Sequence, residues 1–332
     1  MHGPRPKRSL RAYVGIRGWR LAGYSRAEVC DKDAVLDLPL PVLATILGAV
    51  GAAAGSFVAL VSLRLPAGRP FGAVRSMCAG CGAVLQPHEL VPLLSFAVQR
   101  GRCRGCAAAI PWRYPAVEAA AAAIGVAAAL ALPDPRAAVA VAALGWTLLL
   151  LALLDAEHFW LPSAVTLPLS AAGLAVTTWL APADLPVHAI GAAVGYLSFA
   201  GVAALYKAVR GRTGLGGGDA KLFAASGAWL GWEALPLVLL AAAVSGIVVA
   251  LLLWRRGITA TTRLPFGVFL AAATWIVALA GYPASVASTS PSSAGLPVAT
   301  TRPSLPRTSG APVQSVIAPP APVTTGTSAA QS

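Results

Sequence analysis

The chain has 332 residues, of which 57% belong to the apolar set AVILMFWYC and only 11% are charged. Soluble domains carry about a quarter of their residues as charges, and disordered chains combine low hydrophobicity with high charge. Both classes are excluded, and a polytopic membrane protein remains. The formal charge is +13, from 25 Lys plus Arg against 12 Asp plus Glu, so any carboxylate inside an apolar region needs a reason.

Residues 1–39 form a basic tail with eight Lys/Arg and no apolar core of signal-peptide length. Apolar stretches then follow at 40–63, 115–132, 136–154, 163–182, 187–206, 219–232, 234–253 and 264–282. A bilayer core takes about 20 apolar residues per helix, so the pattern predicts eight crossings. The sixth is short and is expected to be thin or partly re-entrant. The expected fold is an all-α membrane bundle, with a first span at 40–63, a loop domain at 64–114 and a larger membrane domain at 115–282. From residue 283 the chain is rich in Ala, Pro, Ser and Thr without periodicity and reads as a disordered tail.

Alternate loops differ in charge. Loops 64–114, 155–162, 207–218 and 254–263 hold Arg64, Arg69, Arg75, Arg100, Arg102, Arg104, Arg113, Lys207, Arg210, Arg212, Arg255, Arg256 and Arg263, with Lys221 just beyond. The opposite loops abut only Arg136. The positive-inside rule places the first set in the cytoplasm. The basic residues of 1–39 then fall outside, against the rule, which fits either a start placed too early or a tail that translocates regardless.

The 64–114 loop carries Cys78-x2-Cys81 and Cys103-x2-Cys106. Two such knuckles have the spacing of a tetrahedral four-thiolate zinc site, and a reducing cytosol disfavours disulfides. Structural zinc is the first expectation and thiol redox chemistry the second. Four protein ligands leave no open position, so the metal would hold shape without activating water. Cys30 has no evident partner. The loop is basic, but inside loops are basic anyway and its aromatics are few (Phe96, Trp112, Tyr114), so nucleic acid is not an expected partner.

Beyond residue 150 the acids are Asp155, Glu157, Asp184, Asp219 and Glu233. Asp184 and Glu233 fall in short loops on the far side. Asp155 ends the third stretch and Asp219 opens the sixth, which sets both at the same depth on the cytoplasmic side. Ionisable groups in a bilayer are costly and suggest function. Two neighbouring carboxylates share a proton, and such a pair activates water for attack on a peptide carbonyl. The glycines at 214, 216, 217 and 218 suit close approach of an extended substrate, with Lys221 beside them. Each acid alone also fits an interfacial or helix-capping role. His158 fits a headgroup-facing side chain, Lys221 either an effect on Asp219 or a phospholipid contact, and Glu118 a structural role near a helix start.

These residues resemble the type IV prepilin peptidases, membrane-embedded aspartic proteases of the GxGD class. The likeness covers about 55–270. It runs from Gly55-Ser56-Phe57 and Arg64-Leu65-Pro66, through the CxxC pairs around Val91-Pro92-Leu93-Leu94-Ser95-Phe96, to Arg113-Tyr114-Pro115 and Glu118. It continues with Asp155 and Leu161-Pro162, Thr166-Leu167-Pro168, Gly216-Gly217-Gly218-Asp219-Ala220-Lys221-Leu222 up to Gly231, and Pro265-Phe266-Gly267. Ala59 replaces a usual Asn, Ser163 a common acid and Val268 a Pro. The resemblance implies Asp155 and Asp219 as catalytic residues in a cytoplasmic-membrane enzyme. Such an enzyme removes a basic, Gly-terminated leader from prepilins or pseudopilins at the cytoplasmic face. It also implies S-adenosylmethionine-dependent N-methylation of the new terminus in bifunctional members. Leader recognition is expected from Asp155, Asp219, Glu157 or membrane phospholipid. Two other readings stay open on the residues alone: a transporter using the Asp pair as an ion or proton site, and a zinc-loop scaffold without catalysis.

Overall fold

A computed structural model describes residues 38–69, 76–211, 216–255 and 264–281. The tails, Cys30, Gly214, Arg75, Arg212, Arg256 and Arg263 lie outside the described residues. Nine α-helices occur among the described residues: α1 Leu40–Arg64, α2 Leu94–Val98, α3 Arg113–Ala131, α4 Pro135–His158, α5 Ser163–Leu180, α6 Leu185–Arg210, α7 Gly217–Leu230, α8 Leu235–Arg255 and α9 Phe266–Gly281. Each of the eight apolar stretches is therefore a helix, and α2 is a single turn within the cysteine loop.

Six of these helices are long and apolar enough to cross a membrane: α1, α3, α4, α5, α6 and α8. The expected count of eight is not reached on that criterion. At 1.5 Å per residue the 14 residues of α7 extend about 21 Å and the 16 of α9 about 24 Å, less than the ~30 Å hydrocarbon thickness. Hydropathy registers an apolar run but not where a glycine run or a turn cuts it. Here Gly216 begins α7, and Gly231, at φ +80°, ends it.

Helices in lipid gain little from hydrophobic burial, so close backbone packing at small residues holds them together. The α1–α3 contact is of this kind. A Cβ on Gly51 would collide with the Ala121 carbonyl oxygen, and one on Gly125 with that of Leu47. The α6–α7 contact repeats the device, with no room for a Cβ on Gly227 beside the Gly191 carbonyl oxygen. Gly51-x3-Gly55 and Gly191-x3-Gly195 both have the spacing that stacks small residues on one helix face. Several polar groups inside the bundle are paired, as burial favours: the Trp229 indole N–H donates to the Leu169 carbonyl at 2.8 Å, and Ser226 and Thr274 hydroxyls meet at 2.7 Å.

The four-cysteine loop is built differently. Its two knuckles share one hydrogen-bond pattern. Cys78 N–H donates to the Ala83 carbonyl and Gly82 N–H to that of Cys78; Cys103 N–H donates to Ala108 and Ala107 N–H to Cys103. Antiparallel bridges close both turns, Met77 with Val84 and Arg102 with Ala109. Gly82 (φ +70°) and Ala107 (φ +59°) take the same left-handed position in the two turns. A glycine bears that conformation in the first knuckle and an alanine in the second.

Candidate active site and metal centre

The two aspartates lie at the same end of the bundle as the four-cysteine loop. Asp155 sits in the last turn of α4 and is only 6% exposed. Its Oδ2 accepts the Val268 N–H at 3.2 Å, and the Gly267 N–H also faces it. Those amides are among the first of α9, donors that no turn of their own helix satisfies. The first carboxylate is thus oriented by the N-terminus of a helix more than a hundred residues away. Gly267 has to be small, because a Cβ there would stand 2.7 Å from Asp155 Oδ2.

Asp219 lies in the first turn of α7 and is half-buried. Its carboxylate faces the Gly216 N–H, the N-cap of its own helix. The two aspartates are close enough for their charges to interact. Leu161 is wedged between the two helix starts. It would meet a Cβ on Gly218 at 2.7 Å and one on Gly267 at 3.0 Å.

This arrangement sorts the expected substrate-approach residues. Gly216 and Gly217 are exposed, and no heavy atom stands near a Cβ on Gly217. Gly218 differs: its lack of a side chain serves packing on Leu161. Lys221 is half-buried and its ammonium donates to the Ser163 hydroxyl at the start of α5. Glu157, expected as a candidate for the leader, is bound instead to Arg113. The same guanidinium donates to Ser62 on α1 at 2.8 Å, so Arg113 ties α1, α3 and α4 together next to Asp155. His158 is exposed, 3.9 Å from Glu157. Buried Glu118 accepts the Leu93 N–H at 2.8 Å, fastening the cysteine loop to α3.

Sequence reasoning noted Arg113 and the Pro-Phe-Gly motif without giving either a partner. A signal for the second existed: Pro-Phe-Gly opens an apolar run, and a run of that kind starts with free amides that suit a carboxylate.

The four cysteines converge. Their sulfurs lie within 4.8 Å of one another, and Cys78 and Cys106 sulfurs are 3.7 Å apart. Tetrahedral zinc with Zn–S bonds of about 2.3 Å sets sulfurs about 3.8 Å apart, so the donor set fits a metal ion. Backbone N–H groups of Cys81 and Gly80 pull the Cys78 thiol down to about 6. At Cys106 the Ala108 N–H acts in the same direction, but the Cys81 sulfur, burial and the other sulfurs outweigh it and push the thiol up to about 12. Four crowded sulfurs without a cation hold protons that a metal displaces.

Comparison with known proteins gives consistent matches. The model of the bacterial Peptidase A24 N-terminal domain matches residues 49–132, and that of the type IV leader peptidase family matches residues 142–251. A Burkholderia pseudomallei protein named prepilin leader peptidase/N-methyltransferase is 44% identical over 209 residues, 63% of this chain and 68% of the relative. A Pseudomonas aeruginosa protein of the same name is 39% identical over 207 residues, 62% and 71% respectively. One from Dichelobacter nodosus is 39% identical over 206 residues, again 62% and 71%. No solved structure matches the chain.

Proposed function

The chain belongs to the type IV leader peptidase family, and from this we propose that it cuts the basic leader from type IV prepilins or pseudopilins with Asp155 and Asp219 as its catalytic pair. The observation that carries the assignment is the meeting of these two carboxylates, from α4 and α7, at one end of an apolar bundle. In the proposed mechanism the pair works with one proton between its two carboxylates. The ionised member takes a proton from a water molecule as that water attacks the scissile carbonyl. The protonated member donates a hydrogen bond to the carbonyl oxygen, and the tetrahedral intermediate collapses as the leaving amine is protonated. The α9 amides on Asp155 and the Gly216 amide on Asp219 fix both carboxylates before substrate arrives. The open backbone at Gly216 and Gly217 is where an extended peptide approaches.

Arg64, Arg113, Lys207, Arg210, Lys221 and Arg255 lie at or near the helix ends on this side and Arg136 on the other. That asymmetry supports a cytoplasmic-membrane protein with its catalytic end in the cytoplasm. Zinc is the proposed metal of Cys78, Cys81, Cys103 and Cys106, where it supplies a cross-link and no water activation. The names of the relatives also support N-methylation of the newly exposed terminus with S-adenosylmethionine as donor. No residue of the chain is assigned to that step.

The direct test incubates the chain in liposomes with a synthetic prepilin segment, a basic leader ending in glycine followed by an apolar stretch. Mass spectrometry is expected to find one cut, immediately after the leader glycine, and a further 14 Da on the new terminus when S-adenosylmethionine is added. An inert chain, or cleavage elsewhere, contradicts the proposal.

A further inference from the structure

The segment linking the two cysteine knuckles has no buried residue in its 3-10 turn, Pro87–Leu90, or in α2. Its apolar side chains face outward: Leu90, Val91, Leu94 and Val98 are all exposed, the last two 60% and 62%. Leu94 and Val98 lie four apart and share one face of α2. Exposed aliphatics grouped in this way mark an interaction surface.

The depth of the segment identifies the partner. The Leu93 N–H donates to Glu118, which lies five residues inside α3, about 7.5 Å below Arg113 at 1.5 Å per residue. At the other side of α2, Phe96 packs on Trp112 with ring centroids 5.0 Å apart. Trp112 precedes α3 and is itself exposed, and Trp160, Tyr206 and Trp254 stand exposed near the ends of α4, α6 and α8 on this same side. Exposed aromatics at the ends of spans mark the boundary between lipid and water. The α2 segment is therefore held between that boundary and a point about one helical turn beneath it. Arg100, Arg102 and Arg104 follow immediately, all exposed and none in an ion pair among the described residues; Arg104 also meets the His88 ring nitrogen at 3.2 Å.

We propose that the linker between the cysteine knuckles is a lipid-binding element. Leu90, Val91, Leu94 and Val98 enter the headgroup–acyl boundary, and the three arginines bind phosphates of anionic phospholipid. An apolar face with a basic flank is the composition such interfacial segments have. The metal centre is then docked on the membrane through its own loop as well as through its attachment to α1 and α3. This inference concerns neither aspartate and stands whether or not the chain cleaves prepilins.

The test places benzoylphenylalanine at Leu94 or at Val98, one at a time, in the full chain in nanodiscs of phosphatidylglycerol and phosphatidylcholine, with a prepilin peptide present. Illumination is expected to give phospholipid adducts at both positions and none from a probe at exposed Gln86. Joint replacement of Arg100, Arg102 and Arg104 by Gln is expected to lower the preference for phosphatidylglycerol at least threefold. Adducts with the prepilin in place of lipid, or no adducts, overturn the proposal. Hydrogen exchange on the unaltered chain gives an independent reading. Amides of 90–98 are expected to be better protected in phosphatidylglycerol nanodiscs than in phosphatidylcholine alone, and equal exchange in the two counts against lipid binding.

Discussion

The helical bundle and the cysteine module solve the same problem, that of fixing a shape, with different physics. In the bundle, shape comes from contact. Glycines let α1 reach α3 and α6 reach α7, and Leu144, Leu151, Leu154 and Leu222 are fully enclosed. Among its described residues the module has no such interior: those of its 3-10 turn and of α2 are all at least partly exposed, and its four sulfurs are its point of convergence. A segment too small to enclose a core needs a cross-link or a metal to define it. The aspartates accordingly depend on helix packing, whereas the module has four converging sulfurs that could hold a metal ion.

The difference can be broken from either side. The largest effect is expected from removing the metal ligands. Replacing Cys78 and Cys103 by Ser should reduce bound zinc from one per chain to none, forfeiting about 10 kcal/mol of binding free energy typical of structural zinc sites. Proteolysis should then cut within 76–110, while circular dichroism of the helices stays unchanged. Acidification should act in the same direction, because protons and metal compete for the thiolates. Metal retention, followed by atomic absorption, should rise from pH 5 to pH 8.

A smaller but more pointed effect is expected at Gly267→Ala. The new methyl would displace the Asp155 carboxylate from 2.7 Å, and leader cleavage should fall about 100-fold, about 2.7 kcal/mol in barrier height, with zinc content unaltered. Gly227→Val forces α6 and α7 apart. Overpacking of this kind costs about 2 kcal/mol, to be seen as a lower unfolding temperature in detergent with the zinc still bound. The smallest effect is expected at Glu118→Gln, which weakens the one hydrogen bond from Leu93 by about 1 kcal/mol. Hydrogen exchange should quicken at Leu93 and its neighbours and remain unchanged in α4. If it quickened equally throughout the bundle, the two regions would not be independent.

Much of this organisation was legible in the residues. Apolar runs located the eight longer helices to within a few residues: 40–63 against Leu40–Arg64, and 115–132 against Arg113–Ala131. Larger errors came at helix ends, such as the four residues by which α6 outruns 187–206 to finish at Arg210, because a helix continues past its apolar stretch while its last side chains reach water. The four cysteines were legible because ligand spacing is local. What escaped was long-range. Nothing near Asp155 in the chain announces that α9 will cap it, that Arg113 will occupy Glu157, or that Leu161 will fill the space left by Gly218. These pairings arise only when helices distant in sequence pack side by side. The shortness of α7 was legible in its apolar run, whereas that of α9 escaped, since hydropathy averages across the turns that end it.

The central claim is that Asp155 and Asp219 perform the cleavage as a pair, on a bundle whose integrity does not depend on them. The most direct measurement is the single-turnover rate of leader removal by Asp155→Asn and by Asp219→Asn, each in liposomes, each shown to hold the same zinc and the same helix content as the unaltered chain. Both rates should fall at least 1,000-fold, about 4 kcal/mol in the barrier. A near-normal rate from either variant would contradict the account.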